Sequence, residues 1–373
     1  MPAQKITIEQ FLGLSTQHPV LDVRSPGEYL HAHIPDACSL PLFSDEERKV
    51  VGTSYKQQSR QTAIKIGLDF FGVKMKKLVE EVEQLTAEKW LMKEKQNLKT
   101  NNQQSNNTVL VHCWRGGMRS AGVAWLLDLY GFKVYTLAGG YKAYRKWVRD
   151  QFEKPCQLTV LGGYTGSAKT GVLQQLKQAG SPIIDLEALA HHKGSAFGAL
   201  GEPEQPSQEM FENLLSQELN YLKNSLTQYA FIEDESQRIG LLKIPDPFWE
   251  TMRHSPICFL DIPFEERLLY LTAEYGKHEK EKLVNAIIRI KKRLGGLETK
   301  TALSFLVDDN YKECFRILLK YYDKWYSKGL YNRDNLDGLL IKISCNTIDV
   351  KSNAEKVLDE MKKLPLPDKS QAH

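Results

Sequence analysis

Short apolar runs punctuate the chain at intervals, each closed by a polar or glycine-rich turn. VLDVR at 20–24, TVLVHC at 108–113, KVYTL at 133–137 and QLTVLGG at 157–163 read as β-strands, as do SPIIDLE at 181–187, YAFIEDE at 229–235 and SPICFLDIP at 255–263. Between them, Ile64 to Glu88, Ala121 to Leu129, Tyr141 to Phe152 and VLQQLKQAG after residue 171 carry apolar side chains at helical spacing or helix-compatible polar stretches. Strand and helix in alternation predict an α/β fold with parallel sheets covered by helices. From about Leu283 to Leu364 the pattern is mostly helical and rich in Lys, Arg and Tyr. KEKQNLKTNNQQSNN at 93–107 has no apolar period and reads as an exposed loop. The Tyr141 helix stops near Lys154-Pro155 and a new strand follows, which sets domains at 1–150 and 157–373.

A length of 373 residues is long for one core and agrees with two domains. The 42% hydrophobic content can supply a core to each. Six cysteines are scattered without a CxxC pair or a histidine cluster, which speaks against structural zinc and a disulfide framework and for a reducing setting. The first residues show no secretory pattern and no window approaches the ~18 apolar residues of a membrane span. A cytoplasmic protein without membrane contact is expected. The net charge of +4 permits a polyanionic partner without requiring one.

Candidate chemistry sits at two strand ends. Cys113 ends the strand TVLVHC and is followed by Trp-Arg-Gly-Gly-Met-Arg-Ser, too polar for core. A thiol at the start of a helix meets converging backbone N–H groups and a positive dipole end, so Cys113 is placed as a thiolate nucleophile. Arg115 and Arg119 are expected to lower its pKa further, with Gly116, Gly117 and Ser120 supporting the loop. At the second strand end, Gly163 to Thr170 follows the G-x-x-x-x-G-K-[ST] phosphate-loop pattern except that Ala168 replaces the second glycine. Gly163, Gly166, Ser167, Lys169 and Thr170 are the candidate diphosphate-binding residues, and the Thr170 hydroxyl is placed to reach a magnesium ion. Alanine favours a right-handed backbone at 168, so the expectation is phosphate or diphosphate binding in general rather than tight nucleotide binding. Asp185, Glu233, Asp234 and Glu235 end strands where an acid/base or a metal ligand would belong, or else cap helices and pair with arginines. HHKGSAFG at 191–198 is either a plain loop or one that closes over an anion.

LDVRSPGEYLHAHIPDACSLPL at 21–42, VHCWRGGMRS and LAGGYKAYRKW at 137–147, in that order, resemble the rhodanese domain. The resemblance implies an N-terminal rhodanese-like parallel-sheet domain in which Cys113 carries sulfur or selenium. Asp22 and Arg24 are expected to form a buried structural pair. The spacing C-x5-R is one residue longer than the usual sulfurtransferase loop. It equals the dual-specificity phosphatase pattern, and it also suits a larger chalcogen.

Together with GGYTGSAKTG at 162–171, VGTSYKQQS at 51–59, IIDLEALAHHKGSAFG at 183–198, FENLL at 211–215 and EDESQRIG at 233–240, these motifs resemble the tRNA 2-selenouridine synthase family across nearly the whole chain. The second domain is then a P-loop NTPase-like α/β domain with a helical C-terminal part. The resemblance implies replacement of sulfur in wobble 2-thiouridine by selenium from selenophosphate, through S-geranylation from geranyl diphosphate. No tightly bound cofactor is expected, magnesium is possible, and tRNA contacts through its anticodon region are implied. Arg289, Lys292 and Arg293 in RIKKRLGG share a helical face suited to a phosphate backbone. Tyr321, Tyr322, Trp325 and Tyr326 either pack or stack on loop bases. The competing reading is an HC-x5-R cysteine phosphatase fused to a small-molecule kinase.

Overall fold

A computed structural model describes residues 3–95, 107–223 and 229–363, with side chains as far as Glu88 in the first segment. The polar tract at 93–107 lies almost wholly outside the described residues. The chain divides into two compact units, 1–151 and 152–373.

The first unit holds a five-stranded sheet of β1 (Gln4–Ile6), β2 (Val20–Asp22), β3 (Cys38–Ser39), β4 (Thr108–His112) and β5 (Lys133–Leu137). Its order is β1-β5-β4-β2-β3 and every pairing is parallel. β4 is buried at all five positions, which explains its unbroken apolar sequence: a central parallel strand is covered on both faces. One layer of the core joins Leu21, Val23, Val109 and Val111 to Val123 and Leu127 of the helix Met118–Tyr130 and to Phe71, Leu78 and Val82 of the helices at Arg60–Gly72 and Met75–Lys95. The helix Asp45–Gln57 starts with a reciprocal Ser44/Glu47 cap, so its first turn is fixed where it covers the end of the sheet.

The second unit has a parallel sheet of order β12-β11-β6-β8-β7. The strands are β6 (Gln157–Gly163), β7 (Ile183–Ile184), β8 (Tyr229–Glu233), β11 (Ile257–Asp261) and β12 (Leu340–Ser344); β9 (Arg238–Ile239) and β10 (Leu242–Lys243) form a separate antiparallel hairpin. β6 is central and runs into the helix Lys169–Gln178, whose Val172, Leu173 and Leu176 pack with Leu161, Phe231 and Leu260. A second cluster, including Phe197, Leu268, Ile287, Phe315 and Leu319, is built by the helices Phe264–Tyr275, Lys280–Leu294, Gly296–Val307 and Tyr311–Tyr331. Two expectations need correction here. The stretch 283–364 is not purely helical, because Leu340–Ser344 pairs with β11 as an edge strand. SPIIDLE yields only a two-residue strand, because Asp185 turns the chain at once into the helix Leu186–Ala190.

Candidate active sites

The first site opens at the carboxyl end of β4. Cys113 is 3% exposed, its Sγ lying 3.2 Å from the Ser120 hydroxyl and accepting from the Gly117 N–H at 3.4 Å. Burial opposes ionisation of the thiol, but hydrogen bonds from the Ser120 hydroxyl and from the amides of Ser120, Gly117 and Arg115 outweigh it, so the pKa lies below the usual thiol value. The loop rests on LAGGYKA: Tyr141 N–H donates to the Cys113 carbonyl at 2.8 Å and Lys142 N–H to that of Trp114 at 3.0 Å. Gly140 has φ +60 and a Cβ there would collide with the Cys113 carbonyl and the Gly116 amide, so the motif needs glycine to seat the loop. Beneath it, Arg24 donates to Asp22 at 2.6 Å and to the Ala32 carbonyl at 2.7 Å, and lies 3.7 Å from the centre of the Tyr141 ring. The Asp22 and Arg24 pair is thus buried and braces the fold as expected.

The arginines behave differently from expectation. Arg119 donates to Glu28 at 2.8 Å, an oxygen that Arg48 also reaches at 2.9 Å. The lowered thiol pKa therefore comes from neutral donors and not from a guanidinium against the sulfur. The Glu28 carboxyl, 12% exposed, is held below the usual carboxylate range by these arginines despite the opposing effect of its burial. Arg115 is exposed. Arg115 and Arg119 line a cleft of about 600 Å³ whose opposite wall is the helix Asp45–Gln57, with Arg48, Lys49 and Lys56 facing in. VGTSYKQQS thus contributes Lys56 to a wall whose other cations, Arg48 and Lys49, precede it, a role its spacing alone did not reveal.

The second site lies at the end of β6. Gly166 takes φ +83, and a Cβ there would meet the Arg267 carbonyl at 3.0 Å and Leu271 at 2.9 Å, so no side chain fits. Arg267 clamps the same loop by donating to the Thr165 carbonyl at 3.1 Å and, through two bonds of 2.8 Å, to Asp323. Ala168 adopts a left-handed backbone, φ +51 and ψ +38, against the right-handed preference expected of alanine: the turn into the helix Lys169–Gln178 imposes it. Such a residue costs about 1–2 kcal/mol. Lys169 Nζ donates to the Gly163 carbonyl at 3.0 Å, whereas the Ser167 hydroxyl braces the loop internally through Tyr164 O at 2.7 Å. A cavity of about 690 Å³ extends from this loop, lined by Lys169, Thr170, Glu187 and Glu235 at one end and by Trp249, Tyr275, Tyr321 and Trp325 elsewhere.

The acidic candidates separate. Asp185 caps the helix Leu186–Ala190 by accepting from Ala188 N–H, and also accepts from Gln174. Asp234 pairs with Arg333 and accepts from the Tyr326 hydroxyl at 2.5 Å. Both carboxylates thus hold the local fold together through a cap and an ion pair. Glu233 is buried with neither carboxyl oxygen hydrogen-bonded, and burial beside Glu187 and Asp185 raises its pKa well above the carboxyl range. Glu187, which sequence reasoning overlooked, accepts from Thr170 Oγ1 at 2.8 Å; burial raises its pKa as well. Glu235 is pushed to about 8 by burial and by the neighbouring Glu187. Among the described residues no group of three or more His, Cys, Asp or Glu side chains is arranged to hold a metal ion.

HHKGSAFG packs beside this site: Gly194 lies against the Glu235 carboxyl and Ala196 N–H donates to the Tyr322 hydroxyl at 3.3 Å. Arg289, Lys292 and Arg293 are all exposed on the helix Lys280–Leu294, and Arg293 reaches the cavity. Of the four aromatics, Tyr326 is tied to Gly163 N–H at 3.0 Å, Tyr322 is tied to Ala196, and Tyr321 and Trp325 face the cavity. No helix among the described residues is long and apolar enough to cross a membrane.

Residues 7–146 match the rhodanese-like domain family and residues 156–338 match the tRNA 2-selenouridine synthase AAA domain family. The chain is 34% identical to a tRNA 2-selenouridine synthase of Sulfurovum sp. (strain NBC37-1) over 340 residues, 83% of this chain and 87% of that protein. It is 33% identical to the one from Shewanella piezotolerans (strain WP3 / JCM 13877) over 317 residues, 79% of this chain and 81% of that protein. With the one from Nitrosomonas europaea it shares 36% identity over 262 residues, 69% of this chain and 63% of the relative, which is under two thirds of that protein's length. Two domain matches in the order of the two units, and relatives aligned over most of their length, place the chain in the tRNA 2-selenouridine synthase family.

Proposed function

We propose that the protein replaces the sulfur of wobble 2-thiouridine in tRNA by selenium from selenophosphate, and that it does so through an S-geranyl intermediate formed from geranyl diphosphate. The observation that carries this reading is one chain holding a thiol of lowered pKa in a cationic cleft and a phosphate loop that opens on an aromatic cavity. Thione sulfur leaves carbon poorly, and alkylation makes it a better leaving group. In the second unit the sulfur attacks the first geranyl carbon, the carbon–oxygen bond breaks, and diphosphate departs with the electron pair. The amides of Gly163 to Thr170 and Lys169 take up its charge. At the Cys113 loop the selenium of selenophosphate then attacks C2 of the base and geranyl thiolate leaves with the electron pair; water, giving its proton to the Cys113 thiolate, cleaves the selenium–phosphorus bond and releases phosphate. The cations Arg48, Lys49, Lys56 and Arg115 suit the selenophosphate oxyanion at that cleft. Arg289, Lys292 and Arg293 suit the RNA backbone.

The phosphatase alternative needs the loop arginine on a sulfur-bound phosphate, and Arg119 is instead bonded to Glu28. The test is incubation with tRNA bearing wobble 2-thiouridine, selenophosphate and geranyl diphosphate, followed by mass spectrometry of the nucleosides. Selenium for sulfur is expected, with the S-geranyl nucleoside accumulating when selenophosphate is withheld. An unchanged nucleoside would sink the proposal.

A further inference from the structure

The helix Tyr311–Tyr331 holds the phosphate loop at several points. Asp323 anchors the Arg267 that bonds Thr165, the Tyr326 hydroxyl accepts from Gly163 N–H, Ser327 meets the Tyr164 hydroxyl at 3.3 Å, and Tyr322 fixes Ala196. The same helix presents Tyr321 and Trp325, spaced i and i+4, to the cavity. Trp325 is 42% exposed although it belongs to a cavity wall. The Arg293 guanidinium lies 5.9 Å from its ring centre and the Lys328 ammonium 5.3 Å, while Tyr321 meets it edge-on at 6.4 Å. Across the cavity lining, Trp249 is likewise accompanied by Arg253 at 5.3 Å.

We infer that Trp325 is the platform on which the wobble base stacks when it enters the phosphate-loop cavity, with Arg293 and Lys328 meeting the flanking RNA phosphates. This rests on the reading that alkylation takes place in that cavity. An exposed indole between two cations suits a planar base attached to an anionic backbone, whereas an isoprenoid tail calls for enclosed walls without charge. Because one rigid helix carries both Trp325 and the bonds to Gly163 and Arg267, a base stacked there is held at a fixed distance from a diphosphate in the loop. Positioning of the sulfur against the geranyl carbon follows from the helix and not from a mobile loop.

An anticodon stem-loop RNA with 5-iodouridine at the wobble position, irradiated with the full-length protein, tests this without any turnover. The expected cross-link maps to Trp325 or its neighbour Tyr321; a cross-link confined to residues outside the cavity would overturn the inference. Because cross-linking reports binding alone, it stands or falls separately from the selenium chemistry. Trp325→Leu is expected to raise KM for the RNA acceptor about 5- to 150-fold, the range for losing one base stack, with KM for geranyl diphosphate unchanged. Trp325→Phe, which keeps an aromatic face, is expected to recover most of that loss. The opposite pattern, donor KM raised and RNA KM unchanged, would make the indole part of the prenyl pocket and refute the base platform.

Discussion

At the scale of single residues, the thiol is set by four neutral donors, the Ser120 hydroxyl and the amides of Ser120, Gly117 and Arg115. Ser120→Ala removes the hydroxyl and is expected to move the onset of thiolate ultraviolet absorbance, measured as wild type minus Cys113→Ala, to higher pH. A thiol with a lowered folded pKa adds stability above the ordinary thiol range and loses it as pH falls through the folded value, so the same substitution lowers Tm more in alkaline than in acidic buffer. Cys113→Ala is expected to abolish selenium incorporation and to spare S-geranylation, while Lys169→Ala impairs geranylation; nucleoside mass spectrometry separates the two. Glu235 has the reverse sign. Unfolded, its carboxyl loses the proton near the ordinary 4.5, but in the fold only at about 8, so stability declines as pH rises between those values. Glu235→Gln is therefore expected to raise Tm in mildly alkaline buffer and to do little in acid. Cys113, Lys169 and Thr170 stand out in the sequence because the pattern that marks them is local, carried by strand, turn and helix in succession. The placement of Arg119 is not local, since the competing partner Glu28 lies 91 positions away. Nor is that of Glu187, which only the folded turn after β7 brings to Thr170.

At the scale of elements, each reactive loop is seated by a partner from elsewhere in its own unit. LAGGYKA seats the Cys113 loop, and Gly140→Ala is expected to cost about 2–3 kcal/mol and to lose selenium transfer, read by thermal melting and by nucleoside analysis. The helix Tyr311–Tyr331 seats the phosphate loop. Tyr326→Phe strands the Gly163 N–H and one Asp234 oxygen, about 1–3 kcal/mol, and isothermal titration should show weaker diphosphate binding. Ala168→Gly acts the other way, relieving a left-handed alanine, and is expected to tighten the same binding. The buried strands β4, β6, β8 and β11 were legible as continuous apolar runs. β12 was not, because Leu340–Ser344 is a half-buried edge strand set among helices, and its pairing with β11 is a long-range fact.

At the scale of the whole molecule, each unit has its own sheet and apolar core, and each reactive loop is supported from within its unit. Two defective chains are then expected to complement one another. A mixture of Cys113→Ala and Lys169→Ala proteins, supplied with thiouridine tRNA and both small substrates, should form selenouridine that neither forms alone, as read by nucleoside mass spectrometry. The sequence itself shows a break near Lys154-Pro155, whereas the supporting contacts within each unit leave no local trace, since they join segments far apart in sequence. The contrast among the cysteines reaches further. Burial raises the thiols of Cys156 to about 11 and of Cys258 and Cys314 to about 12, and lifts that of Cys345, while Cys113 is lowered. A protein that handles so reactive a chalcogen is thereby guarded against self-poisoning at those four positions: near neutrality they stay protonated and inert, and a single equivalent of a small electrophile would mark Cys113 in preference to them.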